Sequence, residues 1–209
     1  MANYPANQLD RLRPLVLLVP GRPESGAGDW MKAWEERRSD CVRLDLGMWD
    51  LPHRNTWVNQ LNLAIHRAER PVILVAEDIA CLAVAWWAEY EQPRFGDPVI
   101  GALLVSPPDV DRPGADPRLA RFGACPRQPL PFRSFVVAES DTPQTKLVTT
   151  TQLASDWNSL FSLDEVDTHG WQSGQYLLGR FFREHDLAVR LLLQADLGHQ
   201  ELLRDLSYA

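Results

Sequence analysis

One carboxylate stands where a folded chain could use it for chemistry. Asp78 separates an apolar run of strand length, Pro71–Ala76, from an apolar run of helix length, Ile79–Tyr90. Small residues, Ala76 and Ala80, stand two positions before and after it, as the sterics of a sharp strand-to-helix turn require. Such a turn projects one side chain from a helix N-terminus, where the helix dipole stabilises an anion. A carboxylate there can serve as a nucleophile or as a general base.

The composition argues against several other kinds of site. The chain has 209 residues, with 28 acidic against 21 basic side chains and a net charge of −7, which argues against a broad nucleic-acid surface. The loop Ser25–Gly28 lacks the lysine of a phosphate-binding loop. No group of histidines, cysteines or carboxylates has metal-ligand spacing. We therefore expect no cofactor, no metal and no nucleic-acid partner.

The cysteines and the apolar runs indicate a cellular location. Cys41, Cys81 and Cys125 show no metal-type spacing and cannot all pair within one chain, so we interpret them as free thiols of a reducing compartment. No apolar run reaches the length of about 18 residues that a membrane helix needs, and the first residues lack a secretion signal. We expect a cytoplasmic protein with no membrane partner.

Strand-like and helix-like segments alternate along the chain. The apolar runs of strand length are Pro14–Pro20, Cys41–Leu46, Pro71–Ala76, Val99–Val105, Phe135–Ala138 and Leu160–Leu163. The helical segments between and after them are Asp29–Arg38, Thr56–Ala68, Ile79–Tyr90, Gln144–Trp157 and Gln175–Leu193. This alternation predicts a three-layer α/β fold, with a parallel sheet of about six strands and helices on both faces. Ligand sites in such sheets lie beyond the carboxyl ends of the strands.

The whole chain, residues 1–209, is expected to form one domain. Residues 1–12 are polar and are interpreted as an N-terminal lead-in segment before the first strand. Residues 186–209 are interpreted as an extra C-terminal helical segment. The leucines of that segment follow roughly helical spacing. They could cover the core, or they could form a partner surface or a homodimer contact.

Several segments resemble the small serine hydrolases of the YdeN-like family, the family that contains retinoblastoma-binding protein nine. They are Val19–Glu35, Val75–Ala83, Leu103–Pro113, Pro131–Ala138 and the pair Ser173 and Gly174. The resemblance extends over roughly residues 14 to 182. It implies an α/β-hydrolase fold, here without room for a cap domain, and a serine-histidine-aspartate triad.

The triad positions that the resemblance implies hold other residues in this sequence. Asp78 stands at the position of the nucleophile, Thr142 at that of the acid and Thr168 at that of the histidine. Asp141 and His169 are each one residue away from these positions, so they become the candidates for the orienting acid and the general base. Without a serine at the turn, no acyl-serine intermediate can form there.

Asp78 then has two interpretations. In the first, Asp78 is a nucleophile, and water activated by His169 hydrolyses its ester. The backbone N–H groups of Ile79 and of the Gly21–Arg22 loop then form an oxyanion hole. In the second, Asp78 is only the N-terminal cap of a helix. The substitution of all three triad positions favours the second interpretation.

The leading hypothesis is a pseudo-hydrolase that keeps a pocket and binds a small ligand or a protein partner. Glu77 is interpreted as a solvated neighbour of Asp78 at that pocket, and Asp164 as a weaker candidate for the acid. The alternative is an active hydrolase, or a non-hydrolytic pathway enzyme, that uses Asp78 as nucleophile or base with His169 assisting. A third hypothesis is an interaction scaffold that uses the C-terminal segment.

Overall fold

The computed structural model describes residues 12–22, 27–108, 110–111, 115–167 and 170–207, and only the backbone at residues 27–29, 120–121 and 192–207. Its strands are β1 (Leu15–Val19), β2 (Cys41–Arg43), β3 (Val72–Glu77), β4 (Val99–Val105), β5 (Arg133–Glu139) and β6 (Leu160–Asp164). They form one sheet in the order β2-β1-β3-β4-β5-β6, and all neighbouring strands are parallel. The predicted parallel sheet is confirmed.

Helices cover both faces of this sheet. They are α1 (Ala27–Arg37), α2 (Arg54–Ala68), α3 (Ile79–Glu91), α4 (Gln144–Asp156) and α5 (Gln172–Ser207). The side chains of α2, α3 and α4 share one apolar cluster with one face of the sheet, and those of α1 and α5 share a second cluster with the other face. The predicted three-layer architecture is therefore confirmed.

The central strands show why their sequences are apolar without interruption. β1 and β3 are buried at every residue, because helices cover both of their faces and successive side chains point to opposite faces. Val16 packs in the cluster of α1 and α5, whereas the next residue, Leu17, packs in the cluster of α2, α3 and α4. Alternating polar residues in these strands would leave polar groups in one core or the other.

Three tryptophans attach α1 and the start of α5 to the same face of the sheet. Trp34 and Trp171 stack with their ring centroids 5.8 Å apart, and Trp30 meets both rings edge-on. A Cβ at Gly174 would overlap the Trp171 ring, so this glycine lets α5 begin against the cluster. Asp164 accepts a hydrogen bond of 3.0 Å from the Trp171 indole N–H. This carboxylate therefore helps to hold the tryptophan cluster in place.

Helix α5 is one continuous helix of 36 residues. The segment 186–209, expected to be an extra helix, is largely the continuation of this helix through residue 207. Near its start the helix lies directly on β4, where a Cβ at Gly101 would overlap the Phe181 ring. Of residues 1–12, only Leu12 lies within the described part of the chain, and its carbonyl oxygen is 2.7 Å from His185 Nε2. No helix among the described residues is both long and apolar enough to cross a membrane.

Candidate active-site cleft

Asp78 lies on a sharp turn between β3 and α3. Its backbone has φ 51° and ψ −132°, a region that side-chain-bearing residues rarely adopt and that is enriched at functional sites. The turn is held by hydrogen bonds from Asp78 N–H to Val105 O, at 2.9 Å, and from Cys81 N–H to Asp78 O, at 3.0 Å. The strand-to-helix turn therefore has the form that the flanking alanines predict.

The loop after β1 lies directly against this turn. A Cβ at Gly21 would lie 2.6 Å from Asp78 Cβ and 2.6 Å from the carbonyl oxygen of Glu77, closer than such atoms approach each other in real structures. Only a glycine permits this approach without a shift of the backbone. The next residue, Arg22, is thereby placed beside the Asp78 carboxylate.

Arg22 holds that carboxylate in a bidentate ion pair. Arg22 Nε lies 2.8 Å from Asp78 Oδ2, and Arg22 Nη2 lies 3.1 Å from Asp78 Oδ1. The Arg22 backbone N–H adds a long contact of 3.4 Å to Oδ2. Both side chains are largely shielded from solvent, at 17% and 10% exposure. The hydrogen bond to Asp78 raises the pKa of Arg22, so the guanidinium keeps its charge.

The interpretation of Asp78 as a helix cap is wrong for its side chain. Asp78 occupies the position before α3, but its carboxylate makes no capping hydrogen bond. The carboxylate pairs with the Arg22 guanidinium and not with the helix N–H groups, because a charge-assisted bidentate pair is stronger than a hydrogen bond to a single backbone amide. The aspartate is therefore held by a partner 56 residues away in the sequence.

The ion pair continues outward into the loop after β4. Arg22 Nη1 donates to Asp116 Oδ2 at 2.8 Å, and Arg118 Nη2 donates to the same oxygen at 2.8 Å. The hydrogen bonds from Arg118 are the main reason that the pKa of Asp116 lies well below its ordinary value of 3.8. Charges of alternating sign thus run from the turn at Asp78 to the proline-rich loop above it.

A serine and a glutamate from the neighbouring strands complete the cleft. Ser106 follows β4 with φ 49°, and its hydroxyl donates to Glu139 Oε1 at 2.9 Å. Glu139 ends β5, and its carbonyl oxygen accepts a hydrogen bond of 2.9 Å from Thr142 N–H. The serine hydroxyl is bonded to a carboxylate and not to an imidazole.

The cleft has a volume of about 360 Å³ and a strongly polar lining. Its residues are Arg22, Glu77, Asp78, Ser106, Asp116, Arg118, Glu139 and Lys146. They carry four acidic and three basic groups, so the lining has both signs of charge and little net charge. Glu77, interpreted from the sequence as solvated, is buried at 3% exposure, because the last position of β3 still lies inside the sheet.

The candidate residues from the sequence divide into three groups. The structure brings Glu77 and Asp78 together with the Gly21–Arg22 loop at the cleft. Asp141 lies exposed on the turn after β5, outside the set of residues that lines this cleft. Thr168 and His169 lie outside the described residues.

The buried residues beside the turn have structural roles and not catalytic ones. Ile79 and Cys81 are fully buried at the start of α3. Burial raises the pKa of the Cys81 thiol well above its ordinary value, so this thiol stays protonated and is no candidate nucleophile. Thr142, which the resemblance places at the position of the acid, donates its backbone N–H to the carbonyl oxygen of Glu139.

Sequence reasoning missed five of the residues that line the cleft: Ser106, Asp116, Arg118, Glu139 and Lys146. Ser106 and Glu139 could have been found, because they stand at the carboxyl ends of two predicted strands, where ligand sites of parallel sheets lie. The other three carry no comparable signal. They reach the cleft from the proline-rich loop and from α4, whose paths depend on packing.

A family model described as serine hydrolase matches residues 16–174. The chain belongs to the serine hydrolase family. Solved structures show the same fold in hydrolases named YdeN-like, in agreement with the resemblance found in the sequence. The comparison with curated proteins gave no match.

Three of the similar solved structures indicate how far the likeness extends. A YdeN-like hydrolase from Pectobacterium atrosepticum is 21% identical, with a TM-score of 0.68, over 86% of this chain and 95% of that chain. The ydeN gene product of B. subtilis is 17% identical, with a TM-score of 0.63, over 81% and 99%. A structure described as a carboxylesterase from Lactobacillus plantarum is 11% identical, with a TM-score of 0.58, over 90% and 89%. At these identities the likeness shows the α/β-hydrolase fold.

Proposed function

We propose that this member of the serine hydrolase family is a pseudo-hydrolase that binds a small polar ligand in the cleft beside Asp78. The observation that carries the proposal is the bidentate ion pair between Arg22 and Asp78. It occupies the position from which a nucleophile would attack. The fold and the turn of a hydrolase are retained, whereas the reactive group has become part of a structural pair.

The ion pair makes Asp78 a poor nucleophile. A carboxylate attacks with an oxygen lone pair, and here both carboxylate oxygens accept hydrogen bonds from a cationic guanidinium. That pairing stabilises the negative charge which an attack would have to donate. Formation of an ester at Asp78 would also remove the charge that the Arg22 guanidinium pairs with in a largely shielded site.

The remaining groups of the cleft do not replace a catalytic triad. Ser106 donates its hydroxyl hydrogen to the carboxylate of Glu139, and a carboxylate is a much weaker base toward an alcohol than an imidazole is. Among the described residues, no histidine lines this cleft. The sequence offers threonines at the family positions of the acid and the histidine, Thr142 and Thr168.

The lining of the cleft supports a small ligand that carries both signs of charge. A volume of about 360 Å³ is within the range of about 300–1,000 Å³ that small-molecule sites occupy. Within the residues that the structure describes, the Lys146 ammonium makes no ion pair, so it can bind a carboxylate or phosphate. Glu139 offers carboxylate oxygens to an amine. The three buried free cysteines support a reducing, cytoplasmic location as part of this proposal.

A fluorophosphonate probe tests the loss of acyl-serine chemistry. The folded wild-type protein is expected to give no labelling and no turnover in a screen of activated esters. Ester turnover that Asp78→Asn abolishes would contradict the proposal. As a positive control, Asp78→Ser combined with Thr142→Asp and Thr168→His restores the family residues and should gain labelling in a folded variant.

Ligand binding is tested by thermal shift against a panel of amino acids, small amines and phosphorylated metabolites. A ligand of the cleft should stabilise wild type and lose at least tenfold in affinity with Lys146→Ala. Lys32→Ala is the matched control, since Lys32 lies on α1 in a solvent-exposed pair with Glu36. Equal effects of both lysine variants would place the binding elsewhere, including at a protein-partner surface.

The alternative function is an enzyme in which Asp78 is the nucleophile or base and His169 assists. The strained backbone of Asp78 at the carboxyl end of a central strand favours it. An isotope experiment separates the two functions. In a single turnover with excess protein in ¹⁸O-labelled water, an aspartyl ester would leave the label in the Asp78 carboxylate, whereas Asp78 acting as a base would give labelled product and an unlabelled carboxylate. The pseudo-hydrolase gives no product and leaves Asp78 unlabelled.

A further inference from the structure

The two edges of the sheet differ in a way that indicates a contact between protein chains. The edge strand β2 has three residues and carries Arg43, which pairs with Glu35 on α1. The other edge strand, β6, has five residues, Leu-Phe-Ser-Leu-Asp, without lysine, arginine or proline. Proteins commonly blunt a free edge with short strands, basic side chains or proline, and only the β2 edge shows such features.

The side chains of the β6 edge are apolar and exposed. Leu160 is 57% exposed, Phe161 38% and Leu163 53%. Val148, on the helix that packs beside this strand, is 64% exposed. These four residues form what we call the edge patch. Among the residues that the structure describes, none covers this patch.

The backbone of β6 also has N–H and C=O groups that point away from the sheet. The carbonyl oxygen of Asp164 points toward β5, where it accepts a hydrogen bond of 2.8 Å from Ser140 N–H. Peptide groups of successive residues in a strand point to opposite edges. The N–H and C=O groups of Phe161 and Leu163 therefore point away from the sheet, whereas those of Ser162 point toward β5.

We infer that β6 pairs in antiparallel fashion with β6 of a second copy of this chain, about a two-fold axis at Ser162. In this register Phe161 lies opposite the partner subunit's Leu163, and Leu163 lies opposite the partner subunit's Phe161. Each such pair exchanges two backbone hydrogen bonds, so the four outward-pointing groups of each chain are all satisfied. The two sheets become one continuous sheet.

The strand sequence is self-complementary in this register. Phe161 and Leu163 have side chains on the same face, so each aromatic ring packs on a leucine, a favourable cross-strand pair. At the axis, a serine faces a serine without bulk or like charge. Leu160 lies opposite the partner subunit's Asp164, so the two acidic residues avoid each other. A second copy of the chain therefore pairs with this strand without bringing like charges together.

A designed disulfide tests the register. Ser162 lies opposite itself in a pair without direct hydrogen bonds, where Cα atoms are about 4.5 Å apart, within the span of about 4.4–6.8 Å that a disulfide requires. Ser162→Cys should form a covalent dimer under mild oxidation. Leu160→Cys should not, because the two copies of residue 160 are far from the axis. The native cysteines are buried and should give little background.

Sedimentation of the full chain tests the surface without any disulfide. Wild type is expected to show the mass of two chains at tens of micromolar, and a net charge of −7 per chain should make the association stronger in salt. Leu163→Lys should give a single-chain mass with an unchanged circular dichroism spectrum. Val42→Lys is the matched control, since Val42 is 44% exposed on β2, and it should remain a dimer.

Two results would overturn the inference. One is a wild-type chain that sediments as a monomer up to hundreds of micromolar and gives no crosslink with Ser162→Cys. The other is a dimer that persists in Leu163→Lys while Ser162→Cys fails to crosslink, which would place the contact on another surface such as α5.

Discussion

The guanidinium of Arg22 donates two hydrogen bonds to the carboxylate of Asp78, at 2.8 and 3.1 Å. The arginine follows β1 and the aspartate follows β3, and these strands are neighbours in the sheet. Their carboxyl ends therefore meet at one edge. The pair joins the loop after β1 to the strained turn between β3 and α3.

Removal of the guanidinium should destabilise the protein. Arg22→Met leaves the Asp78 carboxylate, on a side chain 10% exposed, without its cation, and we expect a loss of about 2 kcal/mol in the free energy of unfolding. The double variant Arg22→Met with Asp78→Asn should lose less than the sum of the two single variants. Urea denaturation of all four proteins measures the coupling.

A solvent-exposed ion pair provides the control for this cycle. Arg43 and Glu35 pair at 3.4 Å with side chains 41% and 40% exposed, so Arg43→Met should cost less than about 0.5 kcal/mol. Strictly additive effects of the Arg22 and Asp78 variants would show that the pair contributes nothing to stability.

The close approach of the Gly21 loop should tolerate no side chain. Gly21→Ala places a Cβ 2.6 Å from Asp78 Cβ and is expected to reduce the free energy of unfolding by about 1–3 kcal/mol. Gly179→Ala is the control, because it adds helix propensity in α5 and its Cβ meets only the end of the flexible Arg183 side chain, at 3.2 Å. That variant should gain up to about 1 kcal/mol. Thermal unfolding of both variants distinguishes a local clash from a general sensitivity to alanine.

Acid should weaken the contacts of Asp116. Hydrogen bonds from Arg118 hold the pKa of Asp116 below its ordinary value of 3.8, so the folded state binds the proton more weakly than the unfolded state. The resulting stability is present above pH 3.8 and is lost as the pH falls from there toward the folded pKa. Asp116→Asn should therefore be less stable than wild type at pH 7, with a difference that shrinks at pH 3. Urea midpoints at the two pH values measure it, and a constant difference would contradict the ion-pair role.

The cysteines should be unreactive until the protein unfolds. Burial raises the pKa of Cys41 to about 11 and that of Cys81 well above 9, so little thiolate is present at pH 8 in the folded state. The stability that these neutral thiols contribute is present below pH 9 and is lost as the pH rises above it. Native protein should show slow labelling by a thiol reagent at pH 8, and all three cysteines should react in urea. Fast labelling of the native state would show that α3 or β2 opens easily.

The positions of most elements were predictable, because burial imposes a simple pattern on the sequence. A strand covered on both faces must be apolar at every position, and β1, β3 and β4 could be recognised on that basis. The small residues around Asp78 identified the strained turn, because only short side chains fit there. The end of α5 was not predictable in the same way, since its last turns have no strong break in helical pattern.

The polar contacts of the cleft could not be predicted, because they join residues distant in the chain. Arg22 and Asp116 are 94 residues apart, and Ser106 and Glu139 are 33 apart. The sequence interpretation of Glu77 as solvated was wrong for the same reason, since burial of a strand end depends on which loops lie above it. From the sequence alone, a charged residue is interpreted as a surface residue until its partner is known.

The sequence by itself determined the α/β fold, the family and the presence of a carboxylate at the turn between a buried strand and a buried helix. These follow from local patterns of apolar and small residues, which each segment carries within itself. The tertiary structure alone decided what holds that carboxylate and what surrounds it. The order of the strands brings the ends of β1, β3, β4 and β5 to one place, and the charge of Asp78 is balanced there by an arginine that no local pattern connects to it.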